Sequence, residues 1–327
     1  MKSKKFRSTL ITFGLVIVAF IVCQVMISTG SMTRSLKGQL VPICAYVVMA
    51  VSLNLTVGIS GELSLGHAGF MSVGAFSGIV MAMWLSKGVG VENQTLCLLL
   101  AILTGGVAAG IAGVIIGIPV LRLRGDYLAI VTLAFGEIIR NVINCLYISL
   151  DGQSLHIAFN NPNVPGKLLV NGPAGATGVT KIATFGMGFA LVLFTLFVVL
   201  NLIDSRSGRA IMAIRDNRIA AEAMGLNVTK YKMMAFVTSA VLAGMAGALY
   251  GLNFSTVAAS KFKFDTSILV LVFVVLGGIG NIRGSIISAT LLTILPELLR
   301  AFANYRMLIY AIVLILVMLA TNNPTLR

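Results

Sequence analysis

The side chains best suited to chemistry stand where they are least expected. The oily run "DYLAIVTLAFGEIIRNVINCLY" (126–147) carries Glu137 and Arg140, three residues apart, followed by Asn141 and Asn144. On a helix that spacing puts the carboxylate and the guanidinium on one face, within reach of each other. Glu137 follows Asp126 by eleven residues, roughly 16 Å at about 1.5 Å per residue. A charge that far into a bilayer costs at least ~2.5 kcal/mol and needs a partner or water. Two readings stay open at this point: a polar face lining a transport pathway, or a structural ion pair bonded to a neighbouring helix.

A second stretch, "LTVGISGELSLGHAGFMSVGAF" (55–76), is rich in glycine and polar residues. Non-helical backbone at membrane depth is tolerated only inside protein or along a cavity. The stretch is therefore expected to be broken or re-entrant, with Glu62, Ser64 and His67 in it, and Ser64 and His67 join the pathway candidates. Its "GISG" matches the G-x-S-G serine pattern of intramembrane proteases, which needs a base on a facing helix. The only histidines are His67 and His156, and neither is well placed for Ser60. A third stretch, "LGGIGNIRGS" (276–285), lacks the G-x-G-x-x-G pattern and any βαβ context. No P-loop occurs anywhere, so an ATP-driven process would need its ATP site on a separate subunit. Cys23, Cys44, Cys97 and Cys145 are widely spaced inside oily segments and read as small apolar residues rather than metal ligands or disulfides.

The elements that must hold these residues follow from composition. The 327 residues are 58% hydrophobic and 10% charged, with a mean hydropathy of +1.00. That is far too apolar for a soluble fold and places the chain in a bilayer. Ten spans are expected, near 10–28, 39–57, 68–85, 95–118, 126–148, 182–203, 233–251, 267–281, 284–301 and 305–321. The eighth is short and ends in glycines. The oily run from Leu10 to Ile27 is longer than a signal core and reads as a retained first span. The fold class is thus an all-α polytopic membrane protein of about ten transmembrane helices, one or more broken or re-entrant.

The net charge is +14, and the basic residues gather at span ends. This pattern reports orientation rather than nucleic-acid binding. It puts both termini in the cytoplasm. The whole chain, 1–327, reads as one transmembrane domain with a cytoplasmic tail (1–8), an irregular, turn-rich extracytoplasmic loop (150–181) and a cytoplasmic loop (204–232). "GGVAAGIAGVIIG" (105–117) and "SAVLAGMAGALYG" (239–251) repeat small residues at four-residue spacing, which predicts close helix packing.

The cytoplasmic loop, "RSGRAIMAIRDNRIAAEAMGLNVTKYK" (206–232), is charged but regular. Ile219, Ala220, Ala223 and Met224 make one apolar face of a short helix that Asn217 caps at its start and Gly225 at its end. Arg218 and Glu222, four apart, lie on another face. Such a face suits a docking partner, the membrane surface or the protein's own spans.

These residues also carry a family resemblance. The loop continued to "KYKMMAF", together with "SLNLTVGISGELSLGHAGFMSVGAF", "LRLRGDYLAIVTLAFGEIIRN", "NGPAGATGV" and "VLGGIGNIRGSIISATLLTILPELLR", resembles permease subunits of bacterial ABC importers for branched-chain amino acids, over about residues 40–321. "RGDYLAIVTLAFGEIIR" points to the LivM-type permease. The resemblance implies a second, LivH-type permease, two cytoplasmic ATPase subunits and an extracytoplasmic binding protein delivering leucine, isoleucine or valine. It implies multi-pass residence in the bacterial inner membrane, and ATP and magnesium bound only by the partner subunits, with no cofactor on this chain. It implies that the loop is the ATPase-coupling loop, carried by Gly208, Arg209, Ala213, Ile214, Arg215, Asn217, Ala220, Ala221, Glu222, Ala223, Met224 and Gly225. Gly225 follows the Glu222-Ala223 pair more closely than in the broad importer consensus, and fits the branched-chain subfamily's own form better. Similar permeases move urea, other amides or other amino acids. A different class, a gradient-driven secondary transporter with Glu137 as its ion site, is the competing reading.

Overall fold

The structure, a computed structural model, describes residues 2–299 except 31, 124 and 153, together with 311, 312 and 315. Eleven helices occur among the described residues: α1 (Lys2–Ser28), α2 (Arg34–Asn54), α3 (His67–Met83), α4 (Gln94–Val120), α5 (Asp126–Asn144), α6 (Phe185–Asp204), α7 (Arg206–Asp216), α8 (Arg218–Ala223), α9 (Val228–Gly251), α10 (Phe264–Gly277) and α11 (Ile282–Leu298). Most begin where a short polar side chain can accept a bond from a backbone N–H that the helix itself leaves unpaired. Thr33, Asn93, Thr184, Ser205, Asn217, Asn227 and Asn281 cap α2, α4, α6, α7, α8, α9 and α11 in this way.

Six helices among the described residues are long and apolar enough to cross a membrane: Ile11–Ser28, Ser35–Ile59, His67–Val89, Gln94–Val120, Phe185–Asp204 and Val228–Gly251. The protein is a mostly helical, multi-pass membrane protein. Of the other expected spans, α5 carries Glu137 and Arg140 inside its 19 residues, α10 has 14 residues and α11 has 17. The tenth expected span lies almost wholly outside the described residues. Over the eighth expected span lies the short apolar helix α10, which ends at Gly277.

The core is built on α2, α3, α4 and α9. The α2 span is 94% buried, while the α1 span at the periphery is 11% buried. The two small-residue runs do pack on each other, with α3 as a third member. A Cβ on Gly244 of α9 would lie 2.3 Å from the Ala109 Cβ of α4, and one on Gly74 of α3 would lie 2.1 Å from the Gly244 carbonyl oxygen. No side chain larger than hydrogen fits there, so the backbones touch, which is how helices associate when lipid removes the hydrophobic drive between them.

The fold is not all-α. β1 (Leu146–Asp151), β2 (Ser154–Phe159), β3 (Lys167–Asn171), β4 (Gly175–Thr177) and β5 (Thr256–Val257) form an antiparallel sheet in the order β2-β1-β3-β4-β5. This corrects the irregular loop expected over 150–181 and shortens the fifth span, whose helix ends at Asn144. "LYISLD" and "SLHIAF" pair in register around the turn at Gly152. The turn residues were visible in the sequence, but the pairing also depends on β5, contributed from beyond α9. Because α9 runs from just after α8 to just before β5, the α7–α8 loop and the sheet lie at opposite ends of a helix of 24 residues, roughly 36 Å long.

Candidate functional site

The loop at one end is a folded unit. The Ser205 hydroxyl accepts from the Gly208 N–H at 3.0 Å and starts α7 directly after α6. The turn is tight enough that a Cβ on Gly208 would sit 2.1 Å from the Leu202 carbonyl oxygen. Arg209 Nη1 donates to the Asp204 carbonyl at 3.1 Å. Ile211 and Ile214 face inward and are buried. At Asn217 the backbone swings to φ −152°, which ends α7, and its Oδ1 accepts from the Ala220 N–H at 3.0 Å, which starts α8. Ala221 is buried with Ile214 and Val228, with Leu226 and Tyr231 packed against them. Gly225, at φ +79°, closes the helix, and the Leu226 N–H donates to the Ala221 carbonyl at 3.1 Å. Left-handed backbone suits glycine because it has no Cβ to clash.

The loop's apolar face points away from the protein. Ile219 is 81% and Met224 84% exposed, and Ala213, Ala220, Ala223 and Gly225 are exposed as well. Arg218 Nε and Glu222 Oε1 pair at 2.9 Å on the helix flank. Burying an isoleucine or methionine side chain fully contributes about 1.5–3 kcal/mol, so this face has unused binding energy. It does not rest against the protein's own spans.

Beneath the loop lies the broken stretch. α2 passes into a π-helical turn, Leu55–Ile59, and residues 60–66 run without helix to α3. Arg215 Nη1 donates to the Gly58 carbonyl at 2.9 Å, and Arg215 also pairs with Asp216. Lys232, in the first turns of α9, forms an ion pair with Glu62, and both side chains are 12% exposed. The far end of the connector sits on α5. The Leu65 N–H donates to Thr132 Oγ1 at 3.0 Å, and a Cβ on Gly66 would lie 2.1 Å from the Thr132 carbonyl oxygen. Between these anchors Ser64 is buried, and its hydroxyl has no partner. His67 is also buried. Its Nε2 lies 2.9 Å from Ser52 Oγ in a hydrogen bond, and its ring meets Phe70 edge-on. The sequence made His67 a pathway candidate; the structure places it in the contact between α2 and α3. Ser60 is buried, and the nearby imidazole is engaged by Ser52, so no serine–histidine pair forms there.

Along α5, Glu137 Oε2 accepts from Arg140 Nε at 2.7 Å, the pairing that the spacing predicts. The two side chains are 33% and 23% exposed. Glu137 also borders a recess of only about 10 Å³, lined by Leu65, Leu133, Phe262, Lys263, Phe264 and Ser267. Asn141 is exposed and Asn144 half-buried, so the expected stripe continues toward the sheet.

The sequence reading missed the two ties between loop and connector, which join residues 157 and 170 positions apart. It also missed Asn54, fully buried in α2. Asn54 Nδ2 donates to Ser285 Oγ at 2.9 Å, and its Oδ1 accepts from the Gly280 N–H at 2.8 Å, which holds the glycine turn between α10 and α11. A lone amide inside "AVSLNLTVG" was the available signal.

Known proteins place this architecture. Residues 35–318 match the family described as the branched-chain amino acid transport system permease component. The high-affinity branched-chain amino acid transport system permease protein LivM of Salmonella typhimurium is 34% identical over 308 residues, covering 84% of this chain and 66% of that protein. The chain thus spans just under two thirds of that relative's length. The ribose import permease protein RbsC of Escherichia coli is 28% identical over 287 residues, covering 84% of this chain and 81% of that protein. The LivH permease of the S. typhimurium branched-chain system is 26% identical over 293 residues, covering 84% of this chain and 88% of that protein. No solved structure matches the chain. With most of its length matched and a multi-pass helical fold, this chain belongs to the branched-chain amino acid transport permease family, on its LivM side.

Proposed function

We propose that this chain is one of two permease subunits of an ABC importer in the bacterial inner membrane, that the α7–α8 end faces the cytoplasm, and that α8 docks on an ATPase subunit. The observation that carries this reading is the outward apolar face of Ile219, Ala220, Ala223 and Met224, held on a helix capped at both ends. A solvated loop gains nothing from such a face. α8 itself, "RIAAEA", carries one arginine, one glutamate and no aromatic residue, unlike the Lys/Arg-rich, aromatic helices that lie on lipid. ATP and magnesium would be bound by the partner subunits alone, consistent with the missing P-loop.

The substrate supported best is an α-amino acid with a branched apolar side chain, delivered by a binding protein at the sheet end. Similarity to LivM supports it. Alternating access would then carry the substrate between this chain and a LivH-type partner. The chain itself breaks no covalent bond.

Two measurements test this. Purifying the tagged chain from its native membrane should retain a second permease and ATPase subunits. In reconstituted vesicles with those subunits, leucine uptake should require ATP, and ribose or urea should not compete. Uptake by the chain alone under a proton or sodium gradient would overturn the ABC reading in favour of a secondary transporter.

A further inference from the structure

We infer that the connector between α2 and α3, residues 58–66 (the end of the π-helical turn and the non-helical stretch 60–66), is the relay through which the α7–α8 loop moves the polar face of α5. The inference rests on the reading of α8 as the ATPase-docking helix. It adds a route, and assigns positioning roles to Glu62, Lys232 and Arg215.

Three observations carry it. First, the connector is tied to the loop region at two points: Arg215 Nη1 on the Gly58 carbonyl, 2.9 Å, and Lys232 on Glu62. Gly61 lies between them, so close under Arg215 that a Cβ there would come 2.6 Å from Arg215 Cγ. Second, the other end of the connector is fixed to α5 by the Leu65–Thr132 bond at 3.0 Å and by backbone contact at Gly66, five residues of α5 before Glu137. The path from loop to polar face is thus a short, continuous chain of bonds. Residues 60–66 form no helix, and their Ser60 and Glu62 N–H groups bond back to the Leu55 and Thr56 carbonyls, so they can shift together with the π-helical turn while the bodies of α2 and α3 keep their hydrogen bonds. Third, the Ser64 hydroxyl, in the middle of this path, is buried without a partner. Leaving a buried polar group unpaired is unfavourable. A second position of the connector in which Ser64 finds a donor or acceptor would give the relay the two arrangements that coupling between sites requires.

The ion pair is not explained as a staple alone. Two charges nearly removed from water contribute little net stability, because desolvation offsets their attraction. What a desolvated pair does supply is a fixed register between the two elements that carry it.

The test uses the complete transporter in vesicles, with uptake and ATP hydrolysis measured together. Glu62→Lys and Lys232→Glu, each alone, should keep the ATPase subunits bound and hydrolysing while substrate moved per ATP falls at least tenfold. The two changes combined should restore that ratio to within about threefold of the unaltered protein. Unchanged coupling in both single variants, or a double variant no better than the singles, overturns the relay. If a single variant fails to accumulate, Glu62→Gln with spin labels at Leu63 and Leu103, both exposed, decides the matter. The label separation should change with ATP in the unaltered protein and stay fixed in Glu62→Gln, whereas an equal change in both removes the inference. Loss of the ATPase subunits from the unaltered chain would instead defeat the docking reading, and the relay with it.

Discussion

The face of α8 and the stripe on α5 satisfy themselves in opposite ways. On α8 the polar groups are spent locally, in the Asn217 cap and the Arg218–Glu222 pair, and the apolar side chains are left in the open. On α5 the charges are spent on each other, Glu137 on Arg140. An exposed apolar face asks for a macromolecule to cover it. A neutralised ion pair asks for nothing, yet it can exchange partners with a small charged ligand. In the proposed function, that difference would separate where force enters this molecule from where cargo passes.

Replacing both Ile219 and Met224 with Asp should break the comparison most severely. Two burials of about 1.5–3 kcal/mol each are lost and two charges must be desolvated. Affinity for the ATPase should fall more than ~100-fold in a pull-down or interferometry measurement. Because both side chains are exposed, the melting temperature in detergent should move by less than about 2 °C. A large fall in melting temperature would mean that the face is covered by the chain itself.

Gly66→Ala attacks the other side. The new methyl meets the Thr132 carbonyl, and overpacking of this kind costs about 1–3 kcal/mol. The melting temperature should drop by several degrees and transport should fall, while the ATPase stays bound. An unchanged melting temperature would show that α3 and α5 are not in backbone contact here.

Glu137→Gln leaves Arg140 without its counter-charge. Removing one partner of a fully buried pair costs about 3–5 kcal/mol, and the partial exposure of both side chains reduces this to roughly 1–2 kcal/mol. Substrate affinity should weaken with expression and ATPase association intact. A chain that no longer accumulates would make the pair structural, and α5 would lose its claim to the pathway.

Gly225→Ala should have the smallest effect. Nothing lies near the added methyl, but the left-handed backbone at φ +79° disfavours it by about 1–2 kcal/mol. The end of α8 should fray and uptake should fall a few-fold. Full activity would mean that the end of α8 does not touch the partner.

Much of the loop was legible because its determinants are local. A cap such as Asn217, a stop such as Gly225, and a face made of residues 219, 220, 223 and 224 are properties of a few consecutive residues. The Glu137–Arg140 pair was legible for the same reason. The break after α2 could be read from its glycines and polar residues, and the touching of α4 and α9 from their small-residue spacing. The role of His67 was not legible, since it depends on Ser52 lying across from it. The sheet was missed because "FNNPNVPGKLLVNGPAGATG" reads as turns until β1 and β5 supply its neighbours.

The sequence by itself determined that this chain lives in a bilayer, where its helices begin, and which short helix offers an apolar face. Hydropathy, capping and the 3.6-residue period act over a few residues and need no fold to be read. Only the tertiary structure decided that Lys232 would find Glu62, that Arg215 would hold Gly58, and that the connector would carry an unpartnered Ser64 onto α5. Those relations join residues far apart in the chain. They exist because α2, α3, α5, α7 and α9 approach closely enough for single hydrogen bonds to set their register.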